Sequence, residues 1–388
     1  MFFERQKINF KSLAGIYIHI PFCKQACYYC NFHFSTSLHF KKEMLESIRR
    51  EIEMKSTFST KEREQIETVY FGGGTPSLLS SNDIEFLFSA IKENYDLAKD
   101  AEITMEANPD DISEENLASW KKLGINRLSI GIQSFAERDL QWMNRAHNAN
   151  QALSSIEMAR EAGFDNFSVD LIFGTPGLSD EEWKSNLQKV IELNVPHISS
   201  YALTVEPKTP LQKMINLHKK ENVNGDLQAN QFLIEMKMLK KAGYENYEIS
   251  NFAKPGFRSR HNSSYWQGKS YIGFGPSAHS FNGEKRTWNV ANNSEYIKSI
   301  QQNILPSEEE ILTKSQKINE YVMTSLRTIE GLDLNYIESW FSLQQKNRVN
   351  EILKLKIDPS NYERINEKII LTDSGKLIAD RISVELFI

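Results

Sequence analysis

The chain has 388 residues, 40% of them hydrophobic and 25% charged, with a formal net charge of −5 at pH 7. That length carries two or three domains and a sizeable core, and the acidic balance excludes the broad basic surface of a non-specific nucleic-acid binder. No apolar run reaches the length of a membrane span, and the opening Met1-Phe2-Phe3-Glu4-Arg5 lacks the apolar region and cleavage site of a signal peptide, so the sequence predicts a cytoplasmic protein with no membrane span and no nucleic-acid partner.

After a short N-terminal segment, residues 1–14, the run 15–20 reads as a strand stopped by Pro21. The loop that follows holds every cysteine in the chain, Cys23, Cys27 and Cys30, at spacing C-x3-C-x2-C. Clustered thiols with no others elsewhere point to a reducing compartment and not to a disulfide framework. Thiolates ligate iron–sulfur clusters, and a [4Fe–4S] cube usually takes four. Three leave one iron open to a small molecule. A mononuclear zinc site completed by His33, three residues after Cys30, is the competing reading.

Residues 38–55 then read as an amphipathic helix, with Met44, Leu45, Ile48 and Ile52 at helical spacing. A strand over 68–71 runs into Gly72, Gly73, Gly74 and Thr75, which offer close backbone approach and amide donors to a ligand, or simply a tight turn. Helices over 81–94, 113–123, 150–162 and 180–193 alternate with strands over 102–107, 127–133, 167–173 and 197–203. Six strand–helix units predict a parallel sheet with crossover helices. Polar and glycine residues gather where the strands end, at Gly72 to Thr75, Glu106, Gln133 and Asp170, where parallel α/β folds bind ligands. Asp170, inside an apolar strand, is costly without a partner. Arg145 is a fork donor suited to a carboxylate.

Past about residue 205 the alternation stops. A helix over 226–243 leads into a Gly-, Pro- and Asn-rich aromatic region, 244–293. It contains His261-Asn262-Ser263-Ser264-Tyr265-Trp266 and, further on, His279. Helices over 310–328, 333–341 and 345–355, then strand-like runs over 368–371 and 384–387, suggest a winged-helix-like end domain. Glu308-Glu309-Glu310 and mixed charge elsewhere give it no basic stripe for DNA. The divisions expected are 15–225, 226–305 and 306–388.

The cysteine spacing, with an aromatic residue before the last cysteine, resembles the signature of the radical S-adenosylmethionine (SAM) superfamily. That resemblance implies a partial (β/α)6 TIM-like barrel followed by an α+β C-terminal region with a winged-helix-like end. It also implies a [4Fe–4S] cluster on Cys23, Cys27 and Cys30 whose open iron is chelated by SAM. Tyr17, Gly72, Gly73, Gly74, Glu106, Gln133, Arg145, Asp170 and Ala202 fall at places matching the SAM-binding residues of the oxygen-independent coproporphyrinogen III oxidase family, with Thr75 closing the glycine run.

Two departures separate the chain from those oxidases. Phe32 stands where they carry a fourth cysteine, and only 22 residues precede Cys23. H-N-x-x-Y-W is instead similar to the mark of the sister group of heme chaperones, HemW. The resemblance implies heme binding, with His261 as the leading ligand, His279 as a second candidate and Arg258 and Arg260 near the propionates, and transfer of heme to an acceptor protein. Histidine ligates heme iron and Tyr and Trp supply flat apolar surface. A histidine and aromatics that only pack the interior are the bland alternative. Oxidative decarboxylation of coproporphyrinogen III by radical SAM chemistry, and radical SAM chemistry on an unrelated substrate, are the alternative functions.

Overall fold

The computed structural model describes residues 13–57 and 65–388; the expected N-terminal segment 1–14 lies almost wholly outside them. All six expected strands form: β1 (Leu13–Ile20), β2 (Gln65–Gly73), β3 (Asp96–Ala107), β4 (Arg127–Gln133), β5 (Phe167–Phe173) and β6 (His197–Ala202). The intervening helices include Lys41–Thr57, Ser81–Asn94, Glu114–Leu123, Ala149–Glu161 and Asp180–Glu192. Their starts are chemically specified. Ser80 with Asp83, Asn148 with Gln151, and Ser179 with Glu182 each form a reciprocal capping box, which satisfies amide donors that a helix start leaves orphaned.

Beyond β6 the chain adds β7 (Glu245–Glu248), β8 (Asn251–Ala253), β9 (Ser270–Phe274), β10 (His279–Phe281), β11 (Lys285–Asn289) and β12 (Ser307–Ile311). The last three-stranded sheet is β13 (Leu332–Asp333), β14 (Tyr362–Ile365) and β15 (Lys368–Leu371).

The contacts group the chain into two units. The first takes in the chain up to Phe22, His33–Thr104 and Arg260–Leu312. Here β1 lies parallel to β2 on one side and to β9 on the other, and β10, β11 and β12 continue antiparallel from β9. Ile16, Ile18 and Ile20 are fully buried and alternate along β1 with Tyr17 and His19, so the two sets face opposite sides of the sheet.

The second unit takes in Cys23–Phe32, Met105–Ser259 and Thr313–Ile388. In it β4, β5 and β6 run parallel, and β8 and β7 close the row antiparallel. Six of the seven β5 residues are buried, Asp170 alone being only partly so, the near-continuous apolar pattern of a strand covered on both faces. The end region has its own core, in which Val322, Leu326, Ile337, Val349, Leu353, Ile369, Leu371 and Ile382 cluster.

Two expectations are corrected here. Residues 384–387 are not a strand: the chain is helical over Ala379–Glu385. Ala379, Ile382, Ser383 and Leu386 are the buried positions, a three-and-four spacing that outweighs the β-branched run, and β15 pairs instead with β14. The helix expected to begin at 310 begins at Lys314, because Ser307–Ile311 pairs with β11 as an edge strand. Its glutamates sit where charge protects an exposed edge.

Candidate functional site

The cysteine loop is fixed through its backbone. The Tyr28 amide donates to the Met143 carbonyl at 3.1 Å, the Leu211 amide to Tyr28 at 2.8 Å, and the Cys30 amide to Cys27 at 3.3 Å. Asn144, in the left-handed region at φ 59°, donates from its amide to the Ala26 carbonyl at 2.7 Å, and Gln25 returns a bond to the Asn144 carbonyl at 3.0 Å. Lys24 pairs with Asp110 at 2.6 Å. None of the three cysteines is in a disulfide; Cys23 is buried, and Cys27 and Cys30 are partly exposed. Burial pushes the Cys30 thiol up to about 11, so loading metal there releases a proton.

Among the described residues no three His, Cys, Asp or Glu side chains converge on one point as a single ion requires. His33, the zinc alternative's fourth ligand, donates from Nε2 to Asn293 Oδ1 at 2.7 Å, and its carbonyl accepts from His19 Nε2 at 2.8 Å.

Arg145 connects the loop to the strand ends. Its Nη1 donates to Cys27 Sγ at 3.2 Å, and its Nη2 donates to Asn108 Oδ1 at 2.8 Å and to the Gly131 carbonyl at 2.7 Å. Its Nε is buried with no partner among the described residues. A buried guanidinium N–H left open is costly, and a carboxylate is the acceptor it suits best. Gln133 joins the same cluster: a Cβ on Gly131 would lie 3.1 Å from Gln133 Nε2 and 3.3 Å from Arg145 Nη2. Gln133 sits at φ 70°, a strained conformation for a non-glycine residue and one found preferentially at functional sites.

Glu106, on β3, is close enough to Cys30 to act on its thiol electrostatically. Asp170 accepts from Ser129 at 3.4 Å and is also bonded by Ser199. Burial raises it to about 6 despite these donors and the nearby Arg127 and Arg145. Ala202 is exposed at the end of β6, in register with Phe173.

In the first unit, the Gly74 amide donates to the Ile20 carbonyl at 2.8 Å and the Thr75 amide to the Phe22 carbonyl at 2.7 Å. A Cβ at Gly74 would stand 2.5 Å from the Phe22 oxygen, so only glycine lets the two segments meet. Gly72 and Gly73 end β2 beside His19 and Ile20. Tyr17 is partly exposed, stacks on Tyr70 with ring centroids 6.0 Å apart, and its hydroxyl lies 3.3 Å from His19 Nδ1. Because His19 Nε2 donates to a carbonyl, Nδ1 is the acceptor and Tyr17 the donor. Burial lowers His19 to about 4, so the ring is neutral and this orientation holds at physiological pH.

His261, the expected iron ligand, lies in the interior of the first unit. It sits on the helix Arg260–Trp266 and is 1% exposed. Its Nδ1 bonds Thr68 Oγ1 at 2.7 Å, its Nε2 bonds the Tyr265 hydroxyl at 2.9 Å, and its ring stacks on Tyr70 at 4.9 Å. Its amide donates to Glu102 at 3.0 Å. Both nitrogens and one ring face are engaged by protein groups. The arginines expected near propionates are also engaged: Arg258 pairs with Glu245 and Glu330, and Arg260 with Asp100. The sequence reading missed Asn108, Asn144 and Asp110. Asn108 precedes a proline at a strand end and Asn144 is a left-handed residue, the signals that mark such turns.

The chain matches the radical SAM superfamily over residues 17–190. It is 33% identical over 374 residues to a heme chaperone HemW from Bacillus subtilis, covering 95% of this chain and 98% of that one. A heme chaperone HemW from Lactococcus lactis is 34% identical over 363 residues, 92% of this chain and 93% of that one. The solved structure of coproporphyrinogen III oxidase (HemN) from Escherichia coli, a radical SAM enzyme, superposes with a TM-score of 0.83 over 97% of this chain and 91% of that one at 24% identity, a likeness of fold.

Proposed function

We propose a heme-carrying role for this chain, which belongs to the heme chaperone HemW family of the radical SAM superfamily. It binds heme, holds a [4Fe–4S] cluster with SAM, and passes heme to an acceptor protein in the cytoplasm. The observation that carries the reading is identity above 30% to heme chaperones along nearly the whole chain, with Phe32 where the resembling oxidases carry their fourth cysteine. Among the described residues no helix is long and apolar enough to cross a membrane.

The residues present fit a cluster and SAM. Three cysteines on one backbone-anchored loop, none in a disulfide, are the donor set of a cube with one open iron, and the orphaned Arg145 Nε suits a carboxylate. In this reading Cys23, Cys27 and Cys30 ligate the cluster and Arg145 orients the SAM carboxylate. Glu106, Gln133 and Asp170 receive hydroxyl and amine groups and Ala202 lines the site, while Gly72, Gly73, Gly74, Thr75 and Tyr17 of the first unit are assigned to the SAM methionine by the family resemblance alone. A [4Fe–4S] cluster held by Cys23, Cys27 and Cys30 would supply one-electron reducing chemistry beside a bound sulfonium. Arg145, through its contact with Cys27 Sγ, also places positive charge beside the cysteine loop.

The test is a titration of anaerobically purified, cluster-reconstituted protein with hemin, followed by mixing with an apo-hemoprotein. The expected result is a Soret band saturating at one equivalent, with the iron–sulfur absorbance retained and the heme then moving to the acceptor. Absence of any Soret band overturns the reading.

A further inference from the structure

The cysteine loop is clasped from two sides within the second unit. On one side stand four consecutive residues, Trp142 to Arg145. The Met143 carbonyl takes the Tyr28 amide, Asn144 exchanges bonds with Ala26 and Gln25, and Arg145 reaches Cys27 Sγ. The Trp142 carbonyl has a different partner: Lys220 Nζ donates to it at 2.8 Å. That lysine belongs to the stretch 205–223, which begins three residues past Ala202 at the end of β6 and includes the helix Pro210–Asn216.

The stretch is tied to the loop at two points. At the first, the Leu211 amide donates to the Tyr28 carbonyl at 2.8 Å, and the fully buried Leu211 side chain shares an apolar cluster with Met143, against which Tyr28 and Trp142 pack. At the second, the Lys220 ammonium stands over two aromatic faces at once, 4.1 Å from the centre of the Trp142 ring and 5.2 Å from that of Tyr28. Burial lowers its pKa, as it does for an ammonium that has given up water for ring faces and one carbonyl. The returning limb is otherwise open: between Asn216 and Asn224 every residue is exposed except Lys220 and Val223. Tyr28, which lies between Cys27 and Cys30, is thus gripped by its amide, its carbonyl and its ring.

We infer that residues 205–223 are a strap over the cysteine loop and that Lys220 is its latch, a positioning residue that fixes Cys27 and Cys30 through Tyr28 and Trp142. An exposed limb with one cationic tie opens at small cost. When the ammonium lifts away, the Tyr28 ring loses its cover and the Trp142 carbonyl its partner, and the cysteines on either side of Tyr28 move with the loop. A cation is what the place calls for, because only a positive group gains from two ring faces and a carbonyl oxygen together. Arginine keeps that charge, whereas methionine keeps an unbranched apolar stem without it.

The latch rests on reading the loop as a cluster site, and one arm of the experiment runs without the cluster. Wild type, Lys220→Met and Lys220→Arg are compared as full-length chains. In metal-free protein, alkylation of Cys27 and Cys30 by iodoacetamide is followed by mass spectrometry, since thiol reactivity tracks exposure. In anaerobically reconstituted protein, iron release to bathophenanthroline disulfonate is followed by absorbance. Lys220→Met should react and release iron roughly fivefold faster than wild type. Lys220→Arg should restore both rates, and the urea midpoint should match wild type in both variants. A Lys220→Met chain with the wild-type alkylation rate overturns the latch. So does an acceleration that arginine does not rescue, or one that comes with a lowered urea midpoint, which would make Lys220 a general stabiliser. A wild type that takes up no iron and sulfide fails the cluster reading, while the alkylation arm still judges the strap.

Discussion

Cys27 and Cys30 are held in place by the backbone around them, whereas His261 is held by its own side chain. In the cysteine loop, amides and carbonyls of Tyr28, Ala26 and Cys30 make the anchoring bonds, so the thiols remain available. In the Arg260–Trp266 helix, the imidazole itself bonds Thr68 and Tyr265. The two motifs are equally conspicuous in the sequence, and their residue types equally suited to iron. What separates them is which atoms hold each motif in place: backbone in the one, the imidazole in the other.

The sharpest break between the two regions comes from alanine substitutions. Cys23→Ala, Cys27→Ala or Cys30→Ala should each abolish the cluster, taking iron and sulfide analysis from about four of each per chain to near zero, while His33→Ala leaves it. Stoichiometric zinc in the wild type would revive the mononuclear alternative. His261→Ala should behave in the opposite manner and leave the cluster in place. Loss of a fully buried ring with two side-chain hydrogen bonds should cost about 2–4 kcal/mol of stability in chemical denaturation. Unchanged stability would show that the imidazole holds nothing in place.

A buried acid sharpens the contrast from the second unit. Glu235 is fully buried, Ser200 Oγ donates to its Oε2 at 2.5 Å, and burial raises it to about 8. A carboxyl whose folded value is raised binds its proton more tightly when folded. Wild type is therefore at its best below the unfolded value near 4.5 and loses stability as pH rises through to about 8. Glu235→Gln keeps a donor and acceptor without the titration. Its stability relative to wild type should grow across that window, by up to about 1.4 kcal/mol per pH unit, measured by urea melts at several pH values; a pH-independent difference would show that Glu235 is not raised. The smallest effect is expected at Arg145, where substitution by alanine should weaken SAM binding by about 1.5–3 kcal/mol in calorimetry. Unchanged affinity would remove that residue from the site.

The parallel strands were legible because the alternation of apolar strand runs with helical periods is a local signal; the N-caps Ser80, Asn148 and Ser179 came from the structure. Strands β9 to β12 were not. They are short, rich in Gly, Asn and aromatics, and carry no sustained period, and their identity comes from pairing with β1 and with one another. Within the site, the thiols and Arg145 were readable from residue type and spacing. The burial of His261 was not, because its Nδ1 partner Thr68 is 193 residues away. His279, the second candidate ligand, is exposed on β10.

The most direct test of the account offers the protein both fates of a porphyrin. Anaerobic, cluster-loaded protein is supplied with SAM, a reductant and coproporphyrinogen III, and a parallel sample with hemin. The account expects one heme retained per chain and no protoporphyrinogen IX formed. Steady conversion of coproporphyrinogen III with no heme retained would contradict it and make the chain an oxidase.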